Sequence, residues 1–179
     1  MNRELDRVNP THVLNATPAT WASEGGEPCD AIRSKVIASL SLVDACHERG
    51  VHITTLGTGA VYAYDAAHAP RKNQGFTEDE PYNGGGSFFV EAASQVQSVL
   101  RDYPNSLVFQ LGKLVSSDLT SAFNFLGELA RSETVVDGVT SVSVLDELLP
   151  VSVEAAKRGL TGVFNLANPG VVSHTELLQ

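Results

Sequence analysis

The stretch GGGSFFVEAASQVQSVL, residues 84–100, decides how this chain is read. Phe89, Ala92, Ala93, Val96, Val99 and Leu100 recur at helical spacing after Ser87, which makes one buried stripe of an amphipathic helix. Glu91 falls outside that stripe and is expected to face water. The three glycines have no strand before them and read as a flexible lead-in. Directly after the helix comes SLVFQL (106–111), a short apolar run expected as a strand.

The same alternation extends in both directions. Residues 3–8 read as the end of a helix closed by Asn9 and Pro10, and HVLN (12–15) as a short strand. Pro28 suits a first helical position, and Ile32, Val36, Leu40 and Val43 mark a helix that Gly50 stops. Val51–Leu56 is nearly continuous in β-branched residues, as expected of a strand covered on both faces. A long polar loop follows from Gly57 to Asn83, and loops of that length in compact domains are usually functional. Its acidic cluster Glu78, Asp79 and Glu80 reads most simply as a solvated face.

Beyond residue 111 a helix is expected from about Ser121 to Arg131, then an extended piece at Thr134–Val136. Ser143 with Asp146 reads as a capping box that starts a helix, and Pro150 as the restart of a second helix to Arg158. Gly162–Leu166 reads as the last strand. Ser173 with Glu176 forms another capping box. Strand and helix alternate throughout, which predicts an α/β fold of βαβ units on a parallel sheet.

Composition excludes several classes. The 179 residues suffice for one domain with a core, and 42% apolar with 18% charged content is ordinary for a globular protein. With 12 Lys and Arg against 21 Asp and Glu, the net charge of −9 argues against nucleic acid and anionic membranes as partners. Cys29 and Cys46 fall on one predicted helix and cannot build a disulfide framework, so they read as buried thiols of a reducing compartment. No run approaches a membrane span and the first ten residues are too charged for a secretory signal, so a cytoplasmic location is expected. The five histidines, His12, His47, His52, His68 and His174, show no ligand-pair spacing, and no metal site is expected.

Seven segments carry a resemblance to a known family. They are PTHVLNAT (10–17), AIRSKVIASLSLVDACHERGVH (31–52), GTGAVYAYDAAH (57–68), GFTEDE (75–80), SSDL (116–119), SVLDELLPVSVEAAKRG (143–159) and FNLANPGVVSHTELL (164–178). In these the chain resembles the extended short-chain dehydrogenase/reductases that act on nucleotide sugars, in particular the epimerase/reductases of rhamnose synthesis. The resemblance implies a truncated Rossmann-type parallel sheet flanked by helices, with ligand outside the carboxyl ends of the strands. Residues 1–179 then form a single, partial NAD(P)-binding-like domain without the Gly-rich phosphate-binding first half. The only GxG after a strand, Gly57 and Gly59, is followed by AVYAYD, which does not open a helix.

The departures from the family fall at its chemistry. On the helix of the opening stretch the family carries a catalytic tyrosine and, four residues later, a lysine; those positions are Phe89 and Ala93 here. The family's hydroxyl residue survives as Thr58, a cysteine position reads Ala60, and an arginine-proline pattern has become Gly112, Lys113 and Leu114. No cofactor is expected, and hydride transfer by this chain alone is not. If the chain is an enzyme, the expectation is isomerase or cyclase rather than oxidoreductase. The expected ligand is a small apolar molecule in a pocket of Thr17, Thr58, Ala60, Tyr62, Phe89, Ala93, Lys113, Leu114 and Ser116, with Thr58 and Lys113 as catalytic candidates. The alternatives are a non-catalytic partner of a dehydrogenase-like enzyme and a working NAD(P)-dependent keto-sugar epimerase/reductase. Because the family pairs another strand against the equivalent of 12–15, a second copy of the chain, a folded-back segment or another partner is expected to cover that edge.

Overall fold

A computed structural model describes residues 1–17, 32–70, 72 and 74–179. Pro28 and Cys29 lie outside the described residues. Strand β1 (His12–Asn15), β2 (His52–Thr58), β3 (Ser106–Leu111) and β7 (Gly162–Leu166) form one sheet in the order β1-β2-β3-β7, and each neighbouring pair is parallel. Between β3 and β7 in sequence lie β4 (Lys113–Val115), β5 (Val139–Thr140) and β6 (Val142–Val144). β4 pairs with β6, and β5 pairs with β8 (Val172–Ser173).

The alternation within β3 explains why all six of its residues are buried. Leu107, Phe109 and Leu111 point to one face of the sheet and pack with Leu166 against Leu148, Ala155 and Ala156 of the helix Leu145–Lys157. Val108 points to the other face, into a cluster with Val43, Cys46, Ile53, Val96 and Leu100. That second cluster takes its helical side chains from Ala38–His47 and Phe88–Arg101, and Leu5 of the helix Asn2–Val8 joins it. Cys46 is fully buried there, and burial pushes its thiol above the ordinary value. Asn9 ends the first helix in the left-handed conformation at φ 48°, which Asn tolerates better than most residues.

Several local expectations give way to tertiary contacts. Thr134–Val136 forms no strand, and Val136 is 84% exposed. Ser143 does not cap a helix; it is completely buried in β6, where its Oγ donates to the Leu166 carbonyl and accepts the Gly112 N–H. Pro150 does not restart a helix but lies inside one continuous helix, Leu145–Lys157. Having no N–H, it forfeits the intrahelical bond to the Asp146 carbonyl. The helix expected from Ser121 begins at Phe125, with Asn124 accepting the Leu126 N–H as its cap. Among the described residues β1 pairs with β2 alone, and Leu14 on it is 60% exposed.

Candidate functional site

The site is built where three strands stop together. Thr58 at the end of β2 is in register with Leu111 at the end of β3, which is in register with Leu166 at the end of β7. The residues just past those ends, Gly59 and Ala60, Gly112 and Lys113, and Ala167 and Asn168, line a cleft of about 570 Å³. A carboxyl-edge crevice is where an open parallel sheet leaves room for a ligand.

Thr58 is held on both sides. Gln97, on the helix Phe88–Arg101, accepts the Thr58 N–H through Oε1 at 2.9 Å and donates from Nε2 to the Thr58 carbonyl at 3.3 Å. Gly57 makes room for this, since a Cβ there would lie 1.9 Å from Gln97 Oε1. Thr58 Oγ1 accepts the Ala60 N–H at 3.1 Å and so caps the single 3₁₀ turn Gly59–Val61. Its hydroxyl proton is left to donate elsewhere.

The loop after that turn is a stitched wall. His68 bridges two carboxylates, with Nδ1 2.8 Å from Asp65 Oδ1 and Nε2 2.6 Å from Glu80 Oε1. Its ring stacks on Phe76 at 3.8 Å, and Phe76 stacks on Tyr62 at 4.6 Å. Burial costs the His68 cation something, but its hydrogen bonds to Asp65 and Glu80 outweigh that and raise its pKa. Glu80 also accepts the Thr77 N–H, the largest cause of its lowered pKa. Glu78 accepts the Asn165 N–H at 2.8 Å, and Asn165 Nδ2 donates to the Phe76 carbonyl, which ties the loop to β7. The acidic cluster is therefore not a solvated face: only Asp79 is exposed, while Glu78 and Glu80 are half-buried. Burial keeps the Tyr62 phenol above its ordinary pKa, and the protonated hydroxyl donates to the Thr77 carbonyl.

The glycine run also differs from a flexible lead-in. The Gly84 N–H donates to the Val61 carbonyl at 2.7 Å, and a Cβ there would come within 2.7 Å of the Ala60 and Val61 backbone. Gly112 is as confined, since a Cβ would lie 2.5 Å from the Ser141 carbonyl oxygen.

Of the residues expected in a pocket, Thr58, Ala60, Tyr62, Phe89 and Lys113 line this cleft. Thr17 and Ala93 do not; with Thr58 and Phe89 they line an adjoining hollow of about 70 Å³. Leu114 packs against the core cluster of β3, and Ser116 accepts a hydrogen bond from Asn124 Nδ2, so neither faces the cleft. Gln110, Asn165 and Asn168 line it without having been expected. Only Gln110 carried a signal, as a polar residue inside an otherwise apolar strand. Lys113 is exposed, and its Nζ sits 4.9 Å from the centre of the Phe125 ring. Among the described residues, no group of three or more His, Cys, Asp or Glu side chains is arranged to hold a metal, and no helix is long and apolar enough to cross a membrane.

Residues 1–102 match the family model described as the NAD dependent epimerase/dehydratase family. Over 182 residues the chain is 39% identical to the bifunctional dTDP-4-dehydrorhamnose 3,5-epimerase/dTDP-4-dehydrorhamnose reductase of Arabidopsis thaliana, an alignment that covers 98% of this chain and 60% of that protein. It is 38% identical over 182 residues to a trifunctional UDP-glucose 4,6-dehydratase/UDP-4-keto-6-deoxy-D-glucose 3,5-epimerase/UDP-4-keto-L-rhamnose-reductase of the same plant, covering 98% of this chain and 27% of that one. Among solved structures, the L780 UDP-rhamnose synthase from Acanthamoeba polyphaga mimivirus superposes with a TM-score of 0.85 at 22% identity, over 98% of this chain and 64% of that one. A dTDP-4-dehydrorhamnose reductase from Clostridium acetobutylicum gives 0.78 at 18% identity, over 98% and 64%. The chain thus spans less than two thirds of the length of each of these relatives.

Proposed function

Because this chain belongs to the NAD dependent epimerase/dehydratase family, we propose that it is a redox-inactive member that binds a small molecule in the cleft over β2, β3 and β7. The observation that carries this reading is the face of the helix Phe88–Arg101 beside Thr58. Phe89 and Ala93, the positions at which the resemblance places tyrosine and lysine, lie there with Ala92 and Val96 and offer no side-chain hydrogen-bond donor. The residues present do not fit the family's nicotinamide cofactor. The Gly57–Gly59 turn opens no helix, and the Thr58 and Ala60 amides are already consumed by Gln97 and by Thr58 Oγ1.

The lining supports a ligand with an apolar or planar side against Tyr62 and Phe89 and a polar side toward Thr58, Gln110, Lys113 and Asn165. A cleft of this kind supports non-redox isomerisation or cyclisation, where positioning and a few directed hydrogen bonds lower the barrier. Thr58 and Lys113 are the side chains placed to donate. The competing reading is an NAD(P)-dependent reductase, favoured by the names of the relatives at 39% and 38% identity.

One experiment separates the two. The purified chain is incubated with NADPH and dTDP-4-dehydrorhamnose, and NADPH absorbance is followed alongside amide chemical shifts. The expected result is no NADPH consumption, with shifts at the cleft on adding the sugar nucleotide. NADPH oxidation above the enzyme-free rate would sink the redox-inactive reading.

A further inference from the structure

The wall of the cleft is closed at its neck by one dipeptide. The Gly84 N–H donates to the Val61 carbonyl at 2.7 Å. The Asn83 side chain takes hold of Ala63, accepting its N–H at 2.8 Å and donating to its carbonyl at 3.0 Å. Asn83 Nδ2 also reaches Asp65 Oδ2 at 3.3 Å, and Asp65 in turn holds His68. These contacts join the two ends of the loop that carries Tyr62 and Phe76 into the cleft. Both residues of the pair are dictated by the neck. An amide accepts and donates at Ala63 at once, which a carboxylate cannot do. A Cβ at residue 84 would come within 2.7 Å of the Ala60 and Val61 backbone.

Asn-Gly is also the pair that loses its side-chain amide most readily, because glycine puts no Cβ in the way of its own nitrogen. Residues 83–84 are the only such pair in the sequence. In that reaction the Gly84 nitrogen gives up its proton and bonds to Asn83 Cγ, while the Cγ–Nδ2 bond breaks and ammonia leaves. Water then opens the succinimide at either carbonyl, which leaves Asp or its β-linked isomer at position 83. The closed neck withholds both reactants, since Val61 holds the Gly84 N–H and Ala63 holds both ends of the amide. Asn83 is exposed, so water reaches it once the neck parts. The product cannot rebuild the neck. A carboxylate has no proton for the Ala63 carbonyl, and it stands against the Asp65 carboxylate where Nδ2 stood. In the isomer, the extra main-chain carbon also moves the Gly84 N–H away from Val61.

We infer that Asn83–Gly84 is a deamidation site gated by the wall of the cleft: it stays intact while the neck is closed, reacts when the 62–83 loop lifts, and then keeps the loop from closing again. The modification is a one-way latch, and its rate records how often the wall opens. It acts on the loop itself and holds whatever the cleft binds.

The test holds the intact chain in neutral buffer, with and without a denaturing concentration of urea, and follows Asn83 by peptide mapping and mass spectrometry. The folded chain is expected to react at least roughly tenfold more slowly than the unfolded one, yet faster than its globally unfolded fraction allows, because a local opening suffices. A rate equal to that of the unfolded chain would show that the neck protects nothing. A rate no greater than the unfolded fraction allows would show that the wall does not open by itself. Either result overturns the proposal. The Asn83→Asp variant then tests the latch, and since Asn83 is exposed the substitution leaves both core clusters in place. Amide exchange at residues 61–65 and at Gly84 is expected to quicken roughly tenfold in Asn83→Asp, with the amides of β3 unchanged. Unchanged exchange at the neck would show that the product closes as well as the parent, and would overturn the latch.

Discussion

Gln97 grips Thr58 by both ends of its amide, accepting the Thr58 N–H at 2.9 Å and donating to the Thr58 carbonyl at 3.3 Å. The side chain thus plays the part of a neighbouring strand for the last residue of β2. Gln97 is 2% exposed, so neither contact can be replaced by water at no cost.

Gln97→Ala is expected to destabilise the fold by about 2 to 4 kcal/mol, since two buried backbone groups lose their partner. Gly57→Ala should cost a similar amount, because its Cβ would take the place of Gln97 Oε1. The two act through one contact, so the double variant should fall well short of the sum. Urea unfolding of the four proteins measures the coupling, and simple additivity would show that the clamp is not shared.

Ser143→Ala should destabilise by about 1 to 3 kcal/mol, because the Gly112 N–H and the Leu166 carbonyl lose a common partner in a fully buried position. In a domain of this size that lowers the melting temperature by roughly 2 to 10 °C. A capping role would predict something else, namely fraying confined to residues 145–148. Amide exchange separates the two, and loss of protection restricted to that first turn would count against the bridge.

The adjacent glycines 84 and 85 should respond in opposite ways. Gly84→Ala drives a Cβ into the Ala60 and Val61 backbone, so a loss of about 1 to 3 kcal/mol is expected. Nothing lies within 4 Å of a Cβ at Gly85, and Gly85→Ala should be neutral or stabilise by up to about 1 kcal/mol through the unfolded chain. Thermal denaturation of both variants checks this. Equal effects would restore the picture of a flexible lead-in.

The wall of the cleft should depend on pH through His68. Only the imidazolium can donate from both ring nitrogens, to Asp65 and to Glu80 at once. Its pKa is raised in the fold, so this contribution is complete below the ordinary imidazole value and is lost as pH rises through the raised one. Asp65 and Glu80 are lowered, chiefly by the His68 and Thr77 amides respectively. Their contribution is present above the ordinary carboxylate values and is lost as pH falls through the lowered ones. Protection of the 62–83 amides should therefore be greatest in mildly acidic to neutral solution and decline on both sides. A His68→Gln variant should lose the alkaline decline. A His68 titration midpoint at or below that of a free imidazole would refute the assignment.

How much of this was legible beforehand depends on the distance over which each feature is decided. β3 was readable to its end residues because a run such as SLVFQL, flanked by turn formers, has few other uses. The Ser173–Glu176 capping box was readable because it closes within one turn. The stripe on the central helix was only partly legible. Gln97 belongs to the buried face, and Val99 is 42% exposed. Hydrophobicity alone could not show that a glutamine would find a strand end to bind.

The order of periodic segments by itself determined the parallel α/β sheet and its covering helices. These follow from side-chain chemistry and from backbone period, which act over a few residues. Only the tertiary structure decided what meets at the strand ends: Gln97 on Thr58, Ser143 between Gly112 and Leu166, and Glu78 on Asn165. Those hydrogen-bonded partners lie 23 to 87 residues apart in sequence, from Ser143 and Leu166 to Glu78 and Asn165. No local pattern encodes such a pairing, because it exists only once parallel strands have brought their carboxyl ends to one edge.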